Sequence, residues 1–158
     1  MTITAAQIRG AITDDAAIRA LVPDSVAIAA ALSAGRTRVQ ETMVSERRIL
    51  ALLGVADGDT FLKALEDFGL ATLAANHPLA AVQSGIRRMV GWLKAPEGID
   101  IGNPLAQQML TVMGQLGILN VASVQTVLAF ARVADPVSEM DVRRALWADN
   151  GTLLIEAL

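Results

Sequence analysis

Few side chains in this sequence are equipped for chemistry, and each also has an ordinary structural use. His77 is the only histidine, and cysteine is absent. Without a second imidazole at helical spacing, or any thiolate, no zinc site can be built around His77. Its place beside an expected helix start suits a cap or a solvated side chain. No serine occupies a Gly-x-Ser-x-Gly elbow, so a hydrolase triad lacks its nucleophile. Asp57-Gly58-Asp59 opens like a calcium loop, but the twelfth position, which must supply a bidentate glutamate, is Phe68. Those residues read instead as a turn and a helix cap. Glu66 and Asp67 are consecutive, so on a helix they project about 100° apart rather than converging as an acid–base pair. Gly114 and Gly117 precede no lysine and make no phosphate loop. The sequence therefore assigns no catalytic, cofactor-binding or metal-binding residue, and no enzymatic activity is expected.

Three arginine pairs carry more information: Arg47-Arg48, Arg87-Arg88 and Arg143-Arg144. Planar guanidinium groups suit phosphate or carboxylate. Acidic neighbours such as Glu46, Glu139 and Asp141 favour solvated helix faces or ion pairs across subunits, and DNA contact would need the fold to gather the pairs. Val121 to Trp147 imitates a helix-turn-helix. Its second helix, however, opens Ser138-Glu139-Met140-Asp141, placing two carboxylates where phosphates would lie. A net charge of −3 and a pI near 5.1 give no electrostatic reason to expect a nucleic-acid partner. Trp92 adjoins an apolar stripe and is expected in the core. Trp147 closes the last amphipathic helix beside an apolar tail, a suitable docking anchor.

The elements that must position these residues are helices. Of the 158 residues, 53% are hydrophobic and 18% charged, which excludes a disordered chain. Alanine and leucine, the strongest helix formers, dominate. No uninterrupted apolar run is long enough to span a bilayer, and the N-terminal residues lack the basic and apolar regions of a signal peptide. Thr4 with Gln7 reads as a capping box, Thr13 as a second cap, and Asp24 as the cap of a helix over Ser25 to Ala34. Arg36 to Thr42 carries no helical pattern and is an extended arm or short strand. Ser45 opens the next helix, with Val44 and Ile49 as a hydrophobic staple, and Gly54 ends it. Pro78 is expected to start a long helix whose stripe is Leu79, Val82, Ile86, Met89, Val90 and Leu93. Asn103-Pro104 opens a helix with Leu105, Met109, Val112, Met113 and Leu116 inward. Asn120 opens another, to about Val133. Ser138 caps the last, stapled by Val137 and Val142. The expectation is an all-α bundle of seven to nine mostly short helices, one domain over 1–151. An apolar tail over 152–158 follows, and the sequence leaves open whether it belongs to the fold or orders on assembly.

Charge is distributed unevenly. Between Phe68 and Ala131 only Arg87, Arg88, Lys94, Glu97 and Asp100 are ionic, and Ile101 to Ala131 contains no ionic residue. Ordinary surface helices show water a charged face. Either these are the central helices of the bundle, or part of their surface is an obligate protein interface, whose core is characteristically poor in charge.

After an opening pair of short helices, Val26 to Gly54 (VAIAAALSAGRTRVQETMVSERRILALLG) and Ala131 to Leu146 (ARVADPVSEMDVRRAL) resemble small proteins of unassigned role encoded by tailed phages and prophages, often among virion genes. Together these segments cover under half the chain. The resemblance implies a virion component associated with neck, tail or capsid, or else an assembly chaperone, made in the host cytoplasm. It supplies no ligand residues. In such particles an extended arm and a C-terminal tail reach onto neighbouring subunits. Arg36, Arg38 and Val39 of the arm, Arg143, Arg144 and Trp147 of the last helix, and Leu153, Leu154, Ile155 and Leu158 of the tail are the candidate contacts. The expected partners are other virion proteins and further copies of this chain; the alternative is a small DNA-binding regulator using the arginines.

Overall fold

The protein's structure, a computed structural model, describes residues 3–74 and 76–155. It is mostly helical (59%), with nine helices among the described residues, eight of them seven residues or longer, and strands that are few and short. No helix is long and apolar enough to cross a membrane. Contacts cluster into two compact units, residues 1–38 with 133–158, and 39–132.

The first unit contains α1 (Ala5–Asp14), α2 (Ala16–Arg19), α3 (Ser25–Ser33) and α9 (Glu139–Leu146). Its helix starts follow the sequence closely. Thr4 and Gln7 form the reciprocal capping box of α1. The Asp24 carboxylate accepts from the Val26 and Ala27 N–H groups, each at 3.0 Å, and the Ser138 hydroxyl accepts from the Asp141 N–H. Thr13 is a correction. It lies inside α1 with its hydroxyl donating to the Arg9 carbonyl, and Asp15 caps α2 instead. A carboxylate accepts from two amides there, Ala17 and Ile18, which a back-bonded hydroxyl cannot do. Helix α9 packs on α1 and α3, and spacings of three and four bring Val142, Ala145 and Leu146 onto Ile8, Ile12 and Ile28.

The second unit holds α4 (Glu46–Leu53), α5 (Val55–Leu70), a 3-10 turn (Ala80–Val82), α6 (Gln83–Leu93), α7 (Pro104–Gln115) and α8 (Val121–Ala129). Strand β2 (Met43–Val44) pairs antiparallel with β3 (Ile99–Asp100), setting Met43 opposite Asp100 and Val44 opposite Ile99. The Val44–Ile49 staple is buried as expected, although Ser45 makes no side-chain cap. The arm is a strand, β1 (Thr37–Val39), paired with β4 (Arg132–Ala134). Helix α8 accordingly stops four residues earlier than expected.

Two boundaries differ for reasons of packing. Helix α5 follows Gly54 directly, so Asp57-Gly58-Asp59 is helical rather than a turn. A Cβ on Gly58 would stand 2.9 Å from the Leu50 Cα, so the glycine is where α4 and α5 touch. Pro78 does not begin α6, which starts at Gln83. The side-chain Nε2 of Gln83 donates to the Phe68 and Ala71 carbonyls at the end of α5, and His77 Nδ1 accepts from the Leu79 N–H at 3.1 Å. These bonds hold residues 77–82 as tight turns beside the helix terminus.

Gly58→Ala tests this arrangement. In an unobstructed helix the change gains about 0.5–1 kcal/mol. Here the obstructing atom is backbone, so the expected outcome is a loss of about 1–3 kcal/mol, read as a lower urea midpoint.

Candidate interaction surface

Helix α6 buries Ile86, Met89 and Leu93, as its stripe requires, and turns Gly85, Arg88 and Trp92 outward. Trp92 is 59% exposed and not a core residue. It lies one position from Leu93, far enough around the helix to leave the buried stripe. Helix α7 buries Met109, Leu110 and Met113. Leu105 and Leu116, expected inward, are 60% and 43% exposed, and Val121 at the start of α8 is 52% exposed. Between α6, α7 and the β2–β3 pair lies an open, mainly apolar groove of about 490 Å³. Its walls include Met43, Met89, Trp92, Leu105 and Met109, and its charged lining residues are Arg88 and Asp100.

The two charges are held differently. Asp100 Oδ1 accepts from the Thr42 N–H at 2.7 Å and the Gly102 N–H at 2.8 Å, which fixes the carboxylate. Arg88 has neither hydrogen bond nor ion pair among the described residues. Further along α6, Lys94 pairs with Glu66. Its pKa is raised above the usual 10.5, first by that hydrogen bond and then by the Glu66 charge, against the lowering effect of desolvation, with the Glu46 charge last. The pair's contribution to stability is therefore present at neutral pH and fades as alkaline pH rises through the lysine's raised value.

The outward face of α7 and α8 is neutral as well as apolar. Thr111 and Thr126 turn their hydroxyls back onto the carbonyls of Gln107 and Ala122, at 2.8 and 3.0 Å. Their donors are thus used within the helix, and the surface is less hydrophilic than its composition suggests.

The residues chosen from sequence are mostly engaged within the first unit. Arg36 Nε donates to Asp135 Oδ2 at 2.8 Å, with Arg38 3.9 Å from the same carboxylate. Val39 is exposed at the end of β1. Arg143 pairs with Glu139 at 2.6 Å and reaches the Ser25 hydroxyl, while Arg144 is exposed. Trp147 is half-buried and bridges to Leu153, and the Leu154 N–H donates to the Leu146 carbonyl. Ile155 is buried in the first unit's core, and Leu154 is exposed. Leu158 lies outside the described residues. As far as Ile155, then, the tail is a structural part of the unit rather than an arm.

Each arginine pair divides its work. Arg48 stacks over the Phe130 ring at 4.5 Å, and Arg87 Nε donates to the Gly69 carbonyl at 2.8 Å. Arg143 is bound as described. All six are solvent-exposed, and Arg47, Arg88 and Arg144 are the members with no hydrogen bond, ion pair or ring contact among the described residues. Sequence reading missed the groove, although its signal was present: Gly85, Arg88 and Trp92 recur at spacings of three and four on a second face of α6.

If the tail is structural, Ile155→Ala lowers stability by about 2 kcal/mol, and truncation after Gly151 lowers it further. In a Trp92→Phe background the truncated protein shows a red-shifted Trp147 emission. An arm with no internal role would leave both readings unchanged.

Comparison with protein-family models, curated proteins and solved structures finds no match to this chain.

Proposed function

We propose that this protein is a non-enzymatic structural component of a tailed-phage particle, associated with neck, tail or capsid and acting through protein–protein assembly. The observation that carries the reading is the exposed outer surface of the charge-free stretch Ile101 to Ala131. A central helix pair would be enclosed by its own unit. Here Leu105, Leu116 and Val121 stand in the open beside exposed Gln108, Thr111, Gln115, Gln125 and Thr126. Apolar surface rimmed by neutral polar groups marks sites of association in soluble proteins. The resemblance of Val26–Gly54 and Ala131–Leu146 to proteins of phage virion modules supports the same reading, and with it a place in the virion after synthesis in the host cytoplasm.

The DNA-binding alternative draws less support. In each arginine pair one guanidinium is committed to a ring, a carbonyl or a carboxylate inside its own unit. Phosphate binding would have to rely on Arg47, Arg88 and Arg144, which make no hydrogen bond or ion pair among the described residues.

The test is immunodetection and mass spectrometry of purified particles and of their assembly precursors. A constant copy number in mature particles is the expected result. Presence in precursors alone would replace a structural component with an assembly chaperone. Absence from both, or DNA binding that weakens steeply with salt and disappears on replacing Arg47, Arg88 and Arg144, would overturn the proposal.

A further inference from the structure

We infer that the groove between α6, α7 and the β2–β3 pair is a self-association site whose occupant is the same groove of a second copy of this chain. The inference rests on the assembly reading and names the partner.

Charge selects the occupant. A groove built for an acidic or a basic peptide would carry charge of one sign. This one has a single cation and a single anion, Arg88 and Asp100, and is otherwise neutral. In an isologous pair, whatever residue i meets at j, residue j meets at i. Two copies related by a twofold axis can therefore place Arg88 of each against Asp100 of the other, making two ion pairs from one surface and leaving no charge unmatched. The state of the two groups suits that role. Asp100 is already oriented by two backbone amides through Oδ1, leaving Oδ2 without a hydrogen bond among the described residues. Arg88 has no partner in its own chain among the described residues.

Shape selects the same occupant. Trp92 projects from the groove's wall, and aromatic side chains are the commonest anchors of protein interfaces. Gly85, two turns earlier on the same side of α6, leaves the wall without a side chain, and nothing lies within 4 Å of where its Cβ would be. Knob and hollow thus occur on one helix. The self-complementary arrangement seats Trp92 of each copy over the Gly85 region of the other, with Met43, Met89 and Leu105 closing around the ring. Methionine suits this lining because its flexible thioether adapts to an aromatic face.

The test is sedimentation equilibrium of the full chain over a wide concentration range. The wild type is expected to show a monomer–dimer equilibrium. Gly85→Leu puts a side chain into the hollow at a position whose Cβ meets nothing within 4 Å, so the variant is expected to fold with an undiminished thermal midpoint and to sediment as a monomer. Trp92→Ala is expected to do the same. Arg88→Gln and Asp100→Asn remove charge while keeping the amide-binding oxygen of residue 100, and each is expected to raise the dimer dissociation constant about tenfold. The double variant should be no weaker than the more affected single variant, because both delete one interaction.

A wild type that is monomeric throughout, a dimer that survives Gly85→Leu, or additive effects of the two charge variants would each overturn the inference. The assembly reading fails separately. A monomeric protein found in particles removes only the self-association, and a groove-dependent dimer absent from particles and precursors removes only the virion role.

Discussion

Helices α7 and α8 bury one side through Met109, Leu110, Met113, Val124 and Val127, and expose the other without an ionic group between Ile101 and Ala131. Burying an unpaired charge in an interface is costly, whereas leaving neutral amides and hydroxyls in water costs little. A helix that must be soluble alone and covered in an assembly therefore favours glutamine, threonine and exposed leucine over lysine and glutamate. Threonines that satisfy their own donors on the preceding turn reduce the desolvation cost again. The rest of the second unit is consistent with that constraint: its exposed tryptophan and open methionine-lined groove lie along α6 and α7 rather than on the charged α4 and α5.

With only 18% charged residues, the chain spends its guanidinium groups sparingly. Arg48 covers Phe130, Arg87 caps the carbonyl end of α5, and Arg143 joins Ser25 to Glu139. Guanidinium can do this because its flat face stacks while its edge donates. What looks in sequence like repeated phosphate-binding dyads is, in each pair, one exposed arginine bonded or stacked onto its own unit beside one without a partner among the described residues. Adjacent helical positions point about 100° apart, so two neighbouring arginines seldom share a task.

Helix starts were legible because capping is local: Thr4, Asp24, Asn103, Asn120 and Ser138 each accept from amides two or three residues on. The staples at Val44–Ile49 and Val137–Val142 were legible for the same reason. What escaped was decided at a distance. Asp57-Gly58-Asp59 has turn composition, yet its glycine is required by the Leu50 backbone of another helix. Pro78 has helix-start chemistry, but the side chain of Gln83 ties its own helix start to the end of α5 instead. Trp92 adjoins the apolar stripe in sequence, which suggests the core, although the periodicity of α6 already puts it off the buried face. The candidate site was thus half-legible. The missing charge was plain in the sequence, while the groove needed the fold to bring Met43 and Asp100 to α6 and α7.

The fate of the chain's flanking segments bears on how assembly would proceed. An extended arm and a free apolar tail were the obvious means of reaching a neighbour, and both are engaged within the fold, one as a strand and the other as part of a core through Ile155. Docking by such segments carries the entropy of ordering them at the moment of contact. Docking by α6 and α7 does not, since their backbones are already fixed by Ile86, Leu93, Leu110 and Met113. A preorganised surface loses less on association, which favours docking through the groove over docking by an arm or tail in the proposed assembly. When many copies assemble, each contact need not be strong, because every added subunit is held at more than one place. Rigid helices with neutral outer faces fit that regime better than long adhesive tails, which would also pair with wrong partners while subunits are still free.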